Sequence, residues 1–344
     1  MANQNFKNIL LLRQSALGDV ANVLPFLQVV REAYPDAKLT FLTGSATASL
    51  LTDDPCIDDV LVWDRTWRLD LLLPMLWRLH QAHFDLVIDL HCSRYSRWLV
   101  KATAAPMRIG AHYPGSYTHL VSFDLRNTQI SEIFRCFLLP LGLESAPYVA
   151  RFPQLALARE SAEAFLADHD LAGHDYVVFN PGHSPAWGTK RWPVEYWTAL
   201  GQTIVSQRRK VVVTGGGGDA PLAEQIVAGI GAGAVSAAGK TNLACLAGLM
   251  SLSGAVVSTD SGPMHVAAMA GAKVVALFGP THPVTSAPFG EGHKVMHHKL
   301  HCSYCFKKVC PYAHECLDLM LPDEVWVAVR EILDAAQGKG DDVA

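Results

Sequence analysis

Short apolar runs alternate along most of the chain with longer stretches in which apolar positions recur every three or four residues. The short runs at 9–12, 39–42, 60–63, 86–90 and 108–110 read as buried parallel strands. The periodic stretches 20–34, 71–82 and 93–104 read as helices. Pro25 falls early in the first of them, where it is tolerated or marks a kink. Helical periodicity returns at 127–141 and 161–168. Between these two, 144–159 loses its period and holds Pro147 and Pro153, which predicts a linker. A second series follows, with strands at 176–179, 210–214, 256–258 and 274–278 and helices at 194–207, 221–230, 243–250, 266–270 and 322–336. Strand–helix alternation of this kind predicts an α/β protein with parallel sheets. The expectation is two Rossmann-like domains facing an interdomain cleft, 1–155 and 156–322, followed by a terminal helix at 323–337. Ligands in such sheets bind beyond the carboxyl ends of the strands. The turn after Leu12 lacks the G-x-G-x-x-G pattern, so the first unit is not a standard dinucleotide site.

The chain of 344 residues is half hydrophobic and 17% charged, enough to bury real cores. Its net charge of −4 argues against nucleic acid as the main partner. No apolar run approaches the roughly 18 residues of a membrane span. The polar start at 1–7 runs directly into the first strand, so no signal peptide is expected and the protein is expected to be cytoplasmic. Its eight cysteines are then expected reduced or metal-bound rather than in a disulfide framework. One segment departs from the overall acidity. From 63 to 108 there are seven Lys/Arg (Arg65, Arg68, Arg78, Arg94, Arg97, Lys101, Arg108) against four acids, interleaved with Trp63, Trp67, Trp77 and Trp98. This is either a solvated basic face above packed tryptophans or a binding surface for something anionic with flat sugar or lipid faces.

Candidate chemistry gathers in the loops. The strand at 256–258 runs into Asp260-Ser261-Gly262-Pro263-Met264-His265. Gly262 lets the backbone turn, Ser261 can cap a new helix, and Pro263 suits its first turn. The result is an ordinary capped turn or a phosphate site at a helix N-terminus. His265 can contact a phosphate or sugar, or be satisfied inside the helix. Gly215-Gly216-Gly217-Gly218 admits close approach of a nucleotide or is a flexible turn, and Asp219 at its end can accept from a ribose or base. No Gly-Lys-Ser/Thr follows, so it is not a Walker loop. Lys190 and Arg191 offer charge for a diphosphate or are solvated surface groups. Asp19, just after Gly18, is placed to act as a general base or to cap the following helix. Cys302, Cys305, Cys310 and Cys316 lie within fifteen residues beside His301 and His314. The first pair has knuckle spacing; the remaining gaps do not, so a structural metal (zinc or an iron–sulfur cluster), packed reduced thiols and a disulfide all remain open.

Several of these pieces together resemble one family, the ADP-heptose:lipopolysaccharide heptosyltransferases of glycosyltransferase family 9. They are Ser15-Ala16-Leu17-Gly18-Asp19, Asn180-Pro181-Gly182 with Lys190-Arg191-Trp192-Pro193, Asp260 to His265, and Phe278-Gly279-Pro280-Thr281. The resemblance implies a GT-B fold whose terminal helix packs back toward the first domain. It implies an acceptor-binding first domain and a nucleotide-sugar-binding second. It assigns Asp19 as the base that deprotonates the acceptor hydroxyl, with Ser15, Gly18, Arg65 and Arg94 expected at the acceptor. It assigns Lys190, Asp260, Ser261, Gly262 and His265 to the donor, joined by Ser184, with His183 beside it, and by Asp219. It also implies inversion without a catalytic metal or other required cofactor. The partners would be an ADP-sugar and the anionic inner core of lipopolysaccharide, met at the cytoplasmic face of the inner membrane. The competing readings are a GT-B transferase or epimerase using another nucleotide-sugar, and a non-catalytic protein binding a nucleotide-sugar or a metal.

Overall fold

A computed structural model describes residues 5–171, 175–182, 184 and 186–337. The chain divides into two compact units, Met1–Gln154 and Leu155–Ala344. The first holds a six-stranded sheet of β1 (Asn8–Leu12), β2 (Lys38–Thr43), β3 (Asp59–Val62), β4 (Leu86–Asp89), β5 (Met107–Gly110) and β6 (His119–Leu120). The second holds β7 (Tyr176–Asn180), β8 (Lys210–Val213), β9 (Ala234–Ser236), β10 (Ala255–Thr259), β11 (Val274–Phe278) and β12 (Lys294–His297). The strand orders are β3-β2-β1-β4-β5-β6 and β12-β11-β10-β7-β8-β9, and every neighbouring pair is parallel. Both are the doubly wound Rossmann order, so the expected α/β class is found. In each sheet the order reverses beside the first strand, between β1 and β4 and between β7 and β10. A crevice at the carboxyl end opens at such a reversal.

The central strands are apolar on both faces because helices cover both. In the first unit Leu10, Leu12 and Val87 share one core with Leu72, Met75 and Leu79 of the helix Leu69–Gln81 and Leu99 of the helix Ser96–Ala102. In the second, one face packs under Trp192, Trp197 and the terminal helix Pro322–Gln337, which contributes Val325, Val329 and Ile332. The other face packs under Ala162, Leu249 and Met264.

Element bounds differ from the sequence expectation in several places, among them the helix expected over 127–141, which is Ile130–Cys136 followed by the 3₁₀ turn Leu139–Leu141. The helix expected over 20–34 is two, Leu17–Ala21 and Leu24–Ala33, parted at Asn22 and Val23. Pro25 has no N–H to donate to the Ala21 carbonyl, so the first helix is not continued through it, and it sits in the first turn of the second helix. The helix expected from 161 begins at Leu155, inside the stretch read as linker. Its polar spacing hides the fact that Ala158 and Ala162 are buried. The helix expected from 266 begins at Gly262. Finally, β6, β9 and β12 were not expected: they are edge or near-edge strands of two to four residues with mixed polarity.

Candidate active site

In the first unit the site forms where β1 ends. Arg13, Gln14 and Ser15 lead into the helix Leu17–Ala21, whose cap position is Ala16, with no side-chain cap. Asp19 is therefore three residues past the cap, and the capping role expected as one alternative is not the one found. Its carboxylate accepts from Ser15 Oγ at 2.8 Å and lies 3.4 Å from Arg13 Nη2, with 42% of the side chain exposed. Arg13 is itself held: Nη1 donates to the Leu90 carbonyl at 2.5 Å, and its guanidinium stands 5.0 Å from the Phe134 ring centroid. A carboxylate fixed by a hydroxyl and a guanidinium yet open to solvent is oriented without being consumed.

Beyond β4, the buried Asp89 accepts from Tyr117 Oη at 2.7 Å and from the N–H groups of His91 and Cys92, both at 2.9 Å. His91 is held below its ordinary pKa by burial and by the nearby Arg13, with Arg65 adding to the effect; Asp89 and Asp19 oppose it. Its Nδ1 is buried with no partner among the described residues. Arg13, Asp19, His91 and Arg65 are thus one electrostatic neighbourhood at the β1–β4 reversal. Gly18 is buried in the helix that carries Asp19, and Arg94 is exposed. Arg13 and His91 went unremarked in the sequence, although Arg13 stands two residues before Ser15 at the end of a recognised strand.

In the second unit the carboxyl ends of β7, β10 and β11 meet around Asp260. Lys190 Nζ donates to Asp260 Oδ2 at 2.7 Å and to the Asp260 carbonyl at 3.0 Å. Thr281 Oγ1 donates to the same carboxylate oxygen at 2.6 Å. Lys190 leaves the 3₁₀ turn Gly188–Lys190, and its ammonium stands 5.0 Å from the Trp187 ring centroid. Asn180 Nδ2 donates to Ser261 Oγ at 2.9 Å and to Ser258 Oγ at 3.0 Å, clamping β7 to β10. Ser261 occupies the cap position of the helix Gly262–Met269, but its hydroxyl is turned to Asn180 and makes no cap hydrogen bond. That corrects the capping expectation: Ser261 belongs to the strand junction. His265 is buried within the helix.

The glycine run closes on Asp219, whose carboxylate accepts from Gly216 N–H at 2.8 Å. A β-carbon on Gly182 would come within 2.8 Å of that carboxylate and one on Gly215 within 2.6 Å of the Asp219 β-carbon, so the glycines are needed for close approach. Asp219 lines an open cavity of about 1180 Å³ with Arg191, Gly218, Gln225, Lys308 and His314. Ser184 is exposed, and His183 lies outside the described residues. The structure thus gathers Lys190, Asp260, Ser261 and Gly262 together with two residues given no role from sequence, Asn180 and Thr281.

Cys302, Cys305, Cys310 and Cys316 line a smaller cavity of about 230 Å³ and are free thiols. Burial pushes the Cys316 thiol up to about 11, and the three neighbouring cysteines add to it. Of the three alternatives left open for these cysteines, the thiols are placed as packed and free, and among the described residues no three His, Cys, Asp or Glu side chains are gathered as a metal set. What the segment does is brace the lysine loop. His314 Nε2 is 2.7 Å from the Thr189 carbonyl, Thr189 Oγ1 donates to the Lys307 carbonyl at 2.7 Å, and Phe306 N–H donates to the Pro280 carbonyl at 3.0 Å.

The family model described as glycosyltransferase family 9 (heptosyltransferase) matches residues 75–315. The chain belongs to glycosyltransferase family 9. It is 27% identical over 322 residues to lipopolysaccharide heptosyltransferase 1 of Pseudomonas aeruginosa, covering 88% of this chain and 87% of that one. The solved family 9 glycosyl transferase of Veillonella parvula superposes with a TM-score of 0.83 at 24% identity, over 95% of this chain and 97% of that one. The Escherichia coli ADP-heptose lipopolysaccharide heptosyltransferase II gives 0.78 at 20%, over 96% and 99%. The GT-B fold expected from the motifs is therefore the fold of solved family 9 enzymes, and this chain is a glycosyltransferase of the heptosyltransferase family.

Proposed function

We propose that this glycosyltransferase moves a heptose from an ADP-activated donor to the inner core of lipopolysaccharide, with inversion at the anomeric carbon. The observation that carries the donor half is the Lys190–Asp260–Thr281 cluster at the β7–β10 reversal, beside the N-terminus of the helix Gly262–Met269. A positive side chain and a helix start together suit a diphosphate. Lys190, Ser261 and Gly262 receive the diphosphate, Asp260 orients Lys190, and His265 and Ser184 stand by the sugar. Asp219 and the cavity beside it take the ribose or base.

The first unit, residues 1–155, takes the acceptor, with Ser15, Gly18, Arg65 and Arg94 near the incoming hydroxyl and its anionic substituents. Asp19 removes the proton of that hydroxyl. The oxygen attacks the anomeric carbon on the face opposite the diphosphate, the carbon–oxygen bond to phosphate breaks, and ADP leaves with the bonding pair. Lys190 and the helix N-terminus take up the charge that develops, so in this reading the step needs no catalytic metal. Ser15 and Arg13 hold Asp19 in one orientation, which is what a general base requires. In this reading the enzyme works in the cytoplasm, peripheral to the inner membrane, a location suggested by its similarity to lipopolysaccharide heptosyltransferases.

Asp19→Ala tests the assignment. Turnover falls by about 10²–10⁴-fold, while ADP binding measured by calorimetry is retained; unchanged turnover removes the base. A calorimetric comparison of ADP-, UDP- and GDP-sugars tests the donor, and preference for a UDP-sugar overturns the ADP assignment.

A further inference from the structure

The seven large apolar side chains exposed between Val62 and Trp98 do not scatter. The helix Leu69–Gln81 buries Leu72, Met75 and Leu79 against the first sheet. Leu69, Leu73 and Trp77, spaced by four, form a second stripe turned outward, and Trp77 is 67% exposed. The neighbouring helix Ser96–Ala102 adds Trp98, 51% exposed, and the two helices are joined through His80 Nδ1, 3.2 Å from the Ala102 carbonyl. Trp67, 61% exposed, stands edge-on to Tyr95 with ring centroids 5.0 Å apart. Trp67, Trp77 and Trp98 are the only tryptophans exposed among the described residues.

The charges beside the exposed tryptophans of the two helices are mostly positive. Arg97 and Lys101 flank the Trp98 ring at 5.6 and 5.8 Å. Arg78 projects from the same helix as Trp77 and is exposed. The acid on that helix, Asp70, is held by Arg68 at 2.7 Å, which also keeps its carboxyl below the usual range. Among the described residues no carboxylate pairs with Arg78 or Lys101. Exposed indole and leucine ringed by arginine and lysine is the composition of a surface that lies in a bilayer interface: the rings enter the headgroup boundary and the cations meet anionic lipid.

We propose that the outward face of the helices Leu69–Gln81 and Ser96–Ala102 docks on an anionic phospholipid surface. The purpose of such docking rests on the lipid-linked acceptor proposed above; the contact itself does not. Residues on it serve attachment and are distinct from Asp19, Arg65 and Arg94.

The test is co-sedimentation of the full chain with vesicles of phosphatidylcholine alone and of phosphatidylcholine and phosphatidylglycerol in equal parts, with tryptophan emission recorded in parallel. Binding to the anionic vesicles is about tenfold or more tighter than to the neutral ones, weakens as salt is raised, and shifts the emission to the blue. Leu73→Glu with Trp77→Glu abolishes it, and Arg78→Glu with Lys101→Glu removes the preference for phosphatidylglycerol. The replaced side chains are exposed, and matching melting curves establish that the variants fold. Absence of vesicle binding by the parent chain, or equal binding by the Leu73/Trp77 variant, overturns the proposal. So does a dimer in sedimentation velocity that the same variant splits, which makes the face a self-association surface. Turnover on a deacylated, water-soluble acceptor separates the two readings. If it persists in the variants, docking and chemistry are distinct as proposed. If the parent chain binds vesicles but transfers to neither the lipid-linked nor the deacylated acceptor, the transfer reading fails and the docking face stands.

Discussion

Lys190 and Asp260 illustrate how much one pair of residues can decide. The lysine side chain is 16% exposed and the aspartate 8%, so neither charge is well hydrated without the other. Lys190→Ala leaves the carboxylate with Thr281 as its side-chain partner, and destabilisation of about 3 kcal/mol is expected in denaturant titrations, together with weakened ADP binding. Thr281→Val, which keeps the volume and drops the hydroxyl, costs about 1 kcal/mol and leaves the ion pair in place. A second residue-scale effect is set by pH. His293 accepts from Val274 N–H at Nδ1 (3.1 Å) and stands 3.1 Å from the Phe289 carbonyl at Nε2, an arrangement that requires the neutral ring. Burial holds its pKa below 6.5, with Lys273 adding to the effect and the Phe289 hydrogen bond opposing it. His91 and His297 shift the same way, also chiefly by burial. The unfolded rings take up protons near pH 6.5 and the folded ones only at lower pH. Their contribution to stability is therefore intact above pH 6.5 and declines as pH falls through it. Melting temperatures recorded from pH 7.5 to 5.5 should drop, and His293→Asn should flatten that slope.

Among the elements, the closest contact is between the helices Leu155–Asp168 and Leu243–Leu252. A β-carbon on Gly248 would lie 2.0 Å from the Ala158 carbonyl oxygen, so one helix sits directly on the backbone of the other. Gly248→Ala forces them apart and is expected to cost about 3 kcal/mol in equilibrium unfolding. The same contact explains why the start of the first helix was illegible. Ala158 and Ala162 are too small and the segment too charged for the periodicity to show, and only the partner's glycine makes burial worthwhile. The break at Asn22 and Val23 was half legible, since Pro25 announces it but does not say on which side the chain will restart.

For the whole molecule, the two units carry separate sheets and separate cores. A fragment of residues 155–344 is expected to unfold cooperatively and to bind ADP by calorimetry with an affinity within about tenfold of the full chain, with no turnover. Failure of the fragment to fold would show that the second core depends on the first unit.

The amino-acid order alone determined the alternation of strands and helices, hence the parallel α/β class, because strands buried on both faces must be apolar throughout. It also placed Asp19, Lys190 and Asp260 in loops after strands, each with an ordinary structural alternative, and only the resemblance to family 9 motifs singled them out. It did not determine which polar groups meet. Asn180 clamps Ser258 and Ser261, and Thr281 meets Asp260; Arg13 and His91 share the surroundings of Asp19. These neighbours come from strands that are adjacent in a sheet but as much as 81 residues apart in the chain. Nor did it decide the fate of the cysteines or of the tryptophans at 67, 77 and 98. Spacing cannot say whether four thiols converge, or whether an aromatic ring in or beside a helix turns inward or outward. Only packing against the sheet settles that.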